Sequence, residues 1–416
     1  MRLRARQVKI QVCRFIRRRQ QLPVKNYVRV LKRLLFFLEN MKHNKFVKIG
    51  KRIKINLYVP GFPSRAFYQA CSKVLEFNDK MPCITCLISV TSACRYHCPH
   101  CYQKFDKGKD AKIETLVEVV KKLQDKGIAF FNIEGGEPFL VFDRLIKVCN
   151  AIDDRSEILI NSTGDGMTRE RLLELKKRDN FLGIMFSLHK EDGETLNQFM
   201  GTDQAWNNLV NGIRLCHEVG VPVTFNTCLL KDDFYDGTFE KIMELSKGFN
   251  GSILQLIKPK PAGGWLDTSL EPFLKSDVNH LLAKVDQYNL QKDFRQYTFI
   301  SAMIREESES MFGCTAGATD RFYINAKGDL QPCEFLNISF GNIQENDFDK
   351  IYERMRKVFE RPSSCLLCEK YARSVYELKK KYNLNSLPLP PDISEELYTN
   401  WDREGKVYFY DKLSEI

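Results

Sequence analysis

The sequence predicts an α/β fold in which a parallel sheet curls toward a barrel, and three observations carry that expectation. Short apolar runs recur at 84–90, 129–134, 156–161, 182–187, 221–228 and 252–257. Helical stretches such as 112–126, 168–178 and 203–219 separate them. The connecting loops are short, and six strand–helix units joined in this way pair their strands in parallel. The length of 416 residues and the 43% apolar content suit one large core with a smaller unit beside it, not a disordered chain.

The elements follow in chain order. Residues 3–19 and 24–41 read as two helices. In the second, Tyr27, Val28, Leu31, Leu34, Leu35 and Leu38 keep a helical period, while Lys25, Arg29, Lys32 and Arg33 line the other face. At 46–59, Ile53, Ile55 and Leu57 alternate with Lys54 and Asn56, which predicts a strand in a hairpin around Gly50. "PGFPS" at 60–64 is a break, and a short helix near 65–76 leads into the body. Residues 1–60 hold 18 Lys and Arg against one acid, Glu39, so this stretch carries +17 and the rest of the chain −6. The division is then a basic N-terminal extension (1–80), the barrel (81–260), a connector with helical character (261–312), a cysteine-bearing domain (313–383) and a tail (384–416) behind the Pro-rich "LPLPP".

Charge and composition bound the function. No run approaches 18 apolar residues, and no apolar segment follows the basic start, so neither a membrane span nor a signal peptide is expected. That predicts a cytoplasmic protein, whose fourteen cysteines serve metal binding more readily than disulfides. The basic extension has three readings: a solvated helix pair, a peripheral contact with the inner membrane face, or a dock for an acidic partner. Nucleic acid is not expected, since no base-stacking motif is visible and the body is acidic. Removing residues 1–59 is expected to leave the barrel folded.

"SACRYHCPHCYQ" (92–103) puts Cys94, Cys98 and Cys101 just after the first strand, at the carboxyl end where parallel barrels place their chemistry. Three thiolates at this spacing wrap one corner of a metal cluster and leave one metal position open. The alternative is a structural zinc site completed by His97 or His100. "EGGEP" (134–138) follows the second strand. Together these motifs resemble the radical S-adenosylmethionine (SAM) superfamily, over about residues 84–258. The resemblance implies a partial (β/α)6 TIM-like barrel and a [4Fe–4S] cluster on Cys94, Cys98 and Cys101 whose open iron binds SAM. It implies reductive cleavage to a 5′-deoxyadenosyl radical that takes hydrogen from an unactivated C–H bond of the substrate. It also implies an electron donor such as flavodoxin or ferredoxin.

The same resemblance places the SAM contacts. Gly135 and Gly136 would let the backbone approach the methionine end, and Glu137 would accept from the ammonium group. His100 stands where the family has an aromatic residue near adenine. Ser187 ends the fourth strand, where a serine of the family meets the SAM ribose or carboxylate, and Asn226 on the fifth strand is a further candidate. "NSTGDG" (161–166) matches the third-strand region loosely. Where many members of the resembled family have Arg before Gly, this chain has Met200 before Gly201, so either Lys190, Lys231 or Lys258 serves as the cation for the SAM carboxylate or that contact is absent.

A second group, Cys314, Cys333, Cys365 and Cys368, has the spacing C-x18-C-x31-C-x2-C. "RFYINAKGDLQPC" between its first two members reads as a hairpin turning at Lys327–Gly328. This part resembles the SPASM/Twitch auxiliary-cluster region, in its smaller form with one auxiliary [4Fe–4S] cluster. A four-cysteine zinc site is the alternative. Cys83 and Cys86, with Cys149, Cys216 and Cys228, read as small core residues. Cys13 and Cys71 have no reading, and His43, His217 and His280 stand alone. The function these expectations favour is radical modification of a ribosomal peptide or protein side chain. Modification of a lipid acyl or isoprenoid chain at the membrane surface is the first alternative, and a non-enzymatic zinc-bearing interaction protein is the remote one.

Overall fold

The computed structural model describes residues 10–14, 24–41, 46–75, 83–403, 405 and 407–416. Of the helix expected at 3–19, only 10–14 lie among them; His43 lies outside. Two strands form the expected hairpin around Gly50: β1 (Val47–Ile49) and β2 (Arg52–Lys54), antiparallel. The main sheet holds β3 (Thr85–Ser89), β4 (Phe130–Glu134), β5 (Glu157–Ser162), β6 (Phe181–Ser187), β7 (Val223–Cys228), β8 (Ile253–Ile257) and β9 (Phe299–Ala302). It is completed by β10 (Arg321–Ile324) and β11 (Leu330–Gln331), and the order is β11-β10-β3-β4-β5-β6-β7-β8-β9. All pairs from β10 to β9 are parallel, and β11 returns antiparallel from β10.

Six of these strands stand where the apolar runs lie. Two features extend the expected sheet. The connector contains β9, which pairs with β8 beyond the sixth strand. The hairpin expected at 321–333 forms, with Gly328 at φ +95° in its turn. Its first strand, however, pairs with β3, so the second cysteine region continues the barrel sheet.

Parallel strands covered on both faces read as continuous apolar runs, and the pleat still sends alternate residues to opposite sides. Ile133, Ile158, Ile160, Ile184 and Phe186 pack outward under the helices. Phe130, Leu159, Leu182, Met185, Ile253 and Phe299 face inward, with Ile49 and Leu57 from the N-terminal segment packed among them. The N-terminal segment therefore plugs the barrel. Lys54, wholly buried, pairs with Glu157 at 2.7 Å, and Arg52 pairs with the same carboxylate at 2.9 Å. The backbone N–H of Gly61 also donates to Glu157. This corrects the expectation that the barrel is independent of residues 1–59. Without them Glu157 loses both of its cations and keeps only the Gly61 N–H, and breaking a buried pair costs about 3–5 kcal/mol.

The basic helix, Val24–Asn40, docks on the protein itself. Val30 and Leu34 pack with Phe46, Ile53, Phe62 and Phe67. Phe36 stacks on Phe409 at 5.1 Å and Phe37 on Phe312 at 5.6 Å. Arg33, read as part of the charged face, is buried and donates to the Val74 carbonyl at 2.7 Å. No helix among the described residues is long and apolar enough to cross a membrane.

Candidate active site

A cavity of about 730 Å3 opens at the carboxyl ends of the barrel strands. Its wall includes Cys94, Cys98, Cys101, His100, Gly135, Gly136, Ser187 and Asn226, so eight of the nine residues expected at the catalytic and SAM sites share one space. The ninth, Glu137, does not line it.

The cysteines lie on an irregular loop that the fold holds from several sides. Asp110 fixes its start: Oδ2 accepts from Thr91 Oγ1 at 2.6 Å, and Oδ1 accepts from Ser92 N and Oγ at 2.9 Å. Gly135 and Gly136 pack against the same backbone. A Cβ on Gly135 would stand 2.6 Å from the Thr91 carbonyl oxygen, and one on Gly136 2.2 Å from that of Ala93. The two glycines thus seat the cysteine loop as well as lining the cavity. Gly201 (φ +62°) lies under His97, and Gly264 N donates to the Cys101 carbonyl at 2.9 Å. Met200 is buried beneath Cys98, with its carbonyl 3.3 Å from Cys98 Sγ.

Cys94 is exposed, and Cys98 and Cys101 are half-buried. Burial first, then the neighbouring thiols, push Cys98 up to about 12. Burial, with a contribution from Cys94, pushes Cys101 up to about 11. The three thiols share one neighbourhood at the mouth of the cavity. Among the described residues no three His, Cys, Asp or Glu side chains converge closely enough to hold a single metal ion.

His100 sits in an aromatic box: 4.5 Å from Phe199 in a stacked pair, 5.0 Å from His189 and 5.6 Å from Trp265. Burial lowers its pKa to about 4, so the ring is neutral at physiological pH. His189 also lines the cavity and was not singled out from the sequence. Its Nδ1 accepts from the Cys228 backbone N–H at 3.1 Å, which puts its proton on Nε2. The available signal was its position two residues after Ser187, at the carboxyl end of β6. Tyr58 was missed as well. It reaches the cavity from the N-terminal plug and accepts from Gln255 Nε2 at 2.6 Å.

The expected role of Glu137 is corrected. It is fully buried, and both carboxylate oxygens are occupied. Oε1 accepts from Phe139 N at 3.0 Å and Ser162 Oγ at 2.9 Å, and Oε2 from Thr163 N and Oγ1 at 2.7 Å. Burial pushes its carboxyl up to about 7, against the pull of those donors. It caps the short helix Pro138–Val141 and ties it to the loop after β5, which leaves no free oxygen for a ligand ammonium. The polar lining comes from inward positions instead: Asn132 and Glu134 on β4, Asn161 on β5, Asn226 on β7. The Oδ1 atoms of all three asparagines are buried with no hydrogen-bond partner among the described residues. Buried acceptors without partners are uncommon, and here they surround a space built for a polar ligand.

The three lysines considered for a carboxylate are engaged elsewhere. Lys190 pairs with Asp233 at 2.6 Å, Lys231 with Glu271, and Lys258 with Glu369 at 2.8 Å. Lys258 alone of the three lines the cavity.

The second cysteine group is more deeply placed. Cys314, Cys333 and Cys368 are buried and Cys365 is half-buried. A backbone bridge from Cys314 N to the Ser363 carbonyl, 2.8 Å, brings the first member to the last pair. Burial chiefly raises Cys333 and Cys368, and the thiols are close enough for Cys368 to add to the first shift and Cys314 to the second. Of the remaining cysteines, Cys83, Cys86, Cys149 and Cys216 are core residues, Cys71 packs in the N-terminal cluster, and Cys228 lines the cavity, contrary to its expected core role. His217 is exposed against the Phe249 carbonyl, and His280 stacks on Tyr235 at 4.6 Å.

A parallel α/β sheet with three cysteines on the loop after its first barrel strand and four more beside its edge defines an iron–sulfur enzyme of the radical type. Residues 88–246 match the model of the Radical SAM superfamily, and residues 314–370 match that of an iron–sulfur cluster-binding domain, SPASM. The chain belongs to the radical SAM enzymes with a SPASM domain. It is 20% identical to an AdoMet-dependent heme synthase of Nitratidesulfovibrio vulgaris over 292 residues, which is 64% of this chain and 77% of that protein. It is 22% identical to the sporulation killing factor maturation protein SkfB of Bacillus subtilis, over 64% of each chain. In structure it is similar to Streptococcus suis SuiB bound to the precursor peptide SuiA, with a TM-score of 0.55, 16% identity, and 78% of this chain and 79% of that chain covered.

Proposed function

We propose that this chain is a radical SAM enzyme that abstracts hydrogen from a side chain of a ribosomal peptide or protein. The observation that carries this reading is the convergence of Cys94, Cys98 and Cys101 with His100, Ser187 and Asn226 on one cavity of about 730 Å3. The donor set fits a [4Fe–4S] cluster with one open iron: three thiols, held by backbone contacts, with the cavity in front of them. Bound there, the cluster and SAM would supply one-electron reductive cleavage and hydrogen abstraction, with the electron drawn from a donor such as flavodoxin or ferredoxin.

The chain's own residues bind, orient and exclude water. His100, His189 and Trp265 line the cavity, with Phe199 packed behind them, and offer aromatic surface for a purine. The His189 Nε2–H and the unpartnered asparagine oxygens supply directional contacts. Glu137 fixes the loop that carries Ser162 and Thr163. Cys314, Cys333, Cys365 and Cys368 would saturate a second cluster, leaving it no open iron. A peptide substrate is supported by the names of two relatives, a maturation protein and an enzyme seen with its precursor peptide. The lipid alternative loses part of its motive, because Val30, Leu34, Phe36 and Phe37 pack within the protein.

The test is anaerobic incubation of reduced, reconstituted enzyme with SAM and a deuterated candidate peptide. The reading predicts 5′-deoxyadenosine carrying deuterium and a mass change in the peptide. Cleavage without deuterium transfer from any peptide, alongside transfer from a lipid chain, would replace the peptide assignment.

A further inference from the structure

Six charged side chains stand between the cavity and the second cysteine group. Lys260 pairs with Glu307 at 3.3 Å and Glu369 at 3.0 Å, with only 4% of its side chain exposed. Lys258, on the cavity wall, pairs with Glu369 at 2.8 Å. Arg321, on β10, pairs with Glu307 at 2.5 Å and lies 3.8 Å from Glu334. Two of the carboxylates directly follow cysteines, Glu334 after Cys333 and Glu369 after Cys368. Arg321 Nη2 stands 4.0 Å from Cys333 Sγ.

Direct ion pairs hold Lys260, Arg321, Glu307 and Glu369 in their charged forms. Burial pulls Lys260 down, but Glu307 and Glu369 outweigh it and raise its pKa. Burial likewise opposes the charge on Arg321, and Glu334 and Glu307 prevail. Burial raises Glu307 and Glu369, yet the cations leave both below their ordinary values. Replacing buried ion pairs by apolar side chains of the same volume is often neutral or stabilising, because desolvating ions often costs more than their pairing returns, so stability alone is a weak reason for this network. Fixed charges in a dry site have another use: they act with little screening on any change of charge beside them.

We infer that this network sets the reduction potential of the cluster held by Cys314, Cys333, Cys365 and Cys368, with Lys260 and Arg321 favouring the reduced form. The inference rests on the iron–sulfur assignment made above. A cluster that takes up one electron gains one negative charge, and net local charge and hydrogen bonds to sulfur are the levers by which a protein tunes its potential. Lys260 and Arg321 are positioning residues here; Glu307 and Glu369 hold them and offset part of their field.

The test is a redox titration followed by electron paramagnetic resonance. It uses the full chain with Cys94, Cys98 and Cys101 replaced by Ala, so that one cluster contributes the signal. Lys260→Met is expected to lower the midpoint potential, Glu369→Gln to raise it, and Lys260→Arg to keep it near the parent value. Opposite signs matter, since loosening of the site would move both variants the same way. Should Lys260→Met lose its iron, Lys258→Met at the partly exposed end of the network is expected to give a smaller fall. Potentials that stay at the parent value, or shift together, overturn the inference while the cluster assignment stands. Zinc in place of iron in the parent overturns the assignment first, and this inference with it.

Discussion

The two cysteine groups are built on different physical plans. Cys94, Cys98 and Cys101 sit on an irregular loop at a cavity mouth, one exposed and two half-buried. That loop is positioned by backbone contacts with glycines: Gly135, Gly136, Gly201, Gly263 and Gly264 each admit a carbonyl that a Cβ would block. Cys314, Cys333 and Cys368 are buried, and charged side chains from the barrel and the sheet edge surround them. Close backbone packing behind the loop leaves its cavity side free for a ligand on an open metal position. Burial among paired charges closes a site and fixes its electrostatics. In the proposed function, the first group serves binding and bond cleavage and the second serves support or electron traffic.

The predictions that test this contrast run from the largest effect downward. Cys98→Ala should abolish 5′-deoxyadenosine formation, whereas Cys368→Ala should retain part of it while peptide turnover falls. Equal, complete loss in two soluble variants that each retain their other cluster would erase the distinction. Lys54→Met removes one of the two cations on Glu157, leaving Arg52 and the Gly61 N–H, and should cost at most about 3–5 kcal/mol of stability in denaturant unfolding. Being remote from both groups, it should lower the iron content of neither more than the other. Gly136→Ala forces a Cβ against the Ala93 carbonyl and should cost about 1–3 kcal/mol. The loss should fall on the first cluster alone, read as iron content with the second signal intact. Glu137→Gln puts an amide NH2 against N–H and O–H donors, at about 1–3 kcal/mol. Its expected signature is a raised KM for SAM together with lower stability; a raised KM with unchanged stability would return Glu137 to direct ligand contact. Tyr58→Phe removes a single hydrogen bond to Gln255, about 1 kcal/mol. It should alter peptide turnover slightly and SAM cleavage not at all.

Much of the barrel was legible because its strands are covered on both faces and appear as apolar runs bounded by turns. The runs at 129–134 and 252–257 coincide with β4 and β8 to within one residue. β9 escaped notice because its four residues, Phe299–Ala302, are too few to show a period. Its partner strand is what makes it a strand. The cysteine motifs were legible as spacing, yet spacing does not tell how an adjacent side chain is used. Glu137 stands in the expected motif and is saturated by Ser162, Thr163 and Phe139, contacts that depend on tertiary structure. Lys54 read as part of the polar half of an alternation, and its burial follows from Glu157, more than a hundred residues away. His189 and Tyr58 carried no local signal beyond their places at a strand end and in a loop.

The measurement closest to the central claim is the electron paramagnetic resonance spectrum of the reduced, reconstituted enzyme before and after SAM is added. The account predicts about eight irons per chain in two [4Fe–4S] clusters. Only one of the two signals should shift with SAM, and that signal should be missing when Cys94, Cys98 and Cys101 are all Ala. A SAM-dependent shift that survives in the triple variant, or no shift in the intact enzyme, would contradict the assignment of the open site to the first cysteine group.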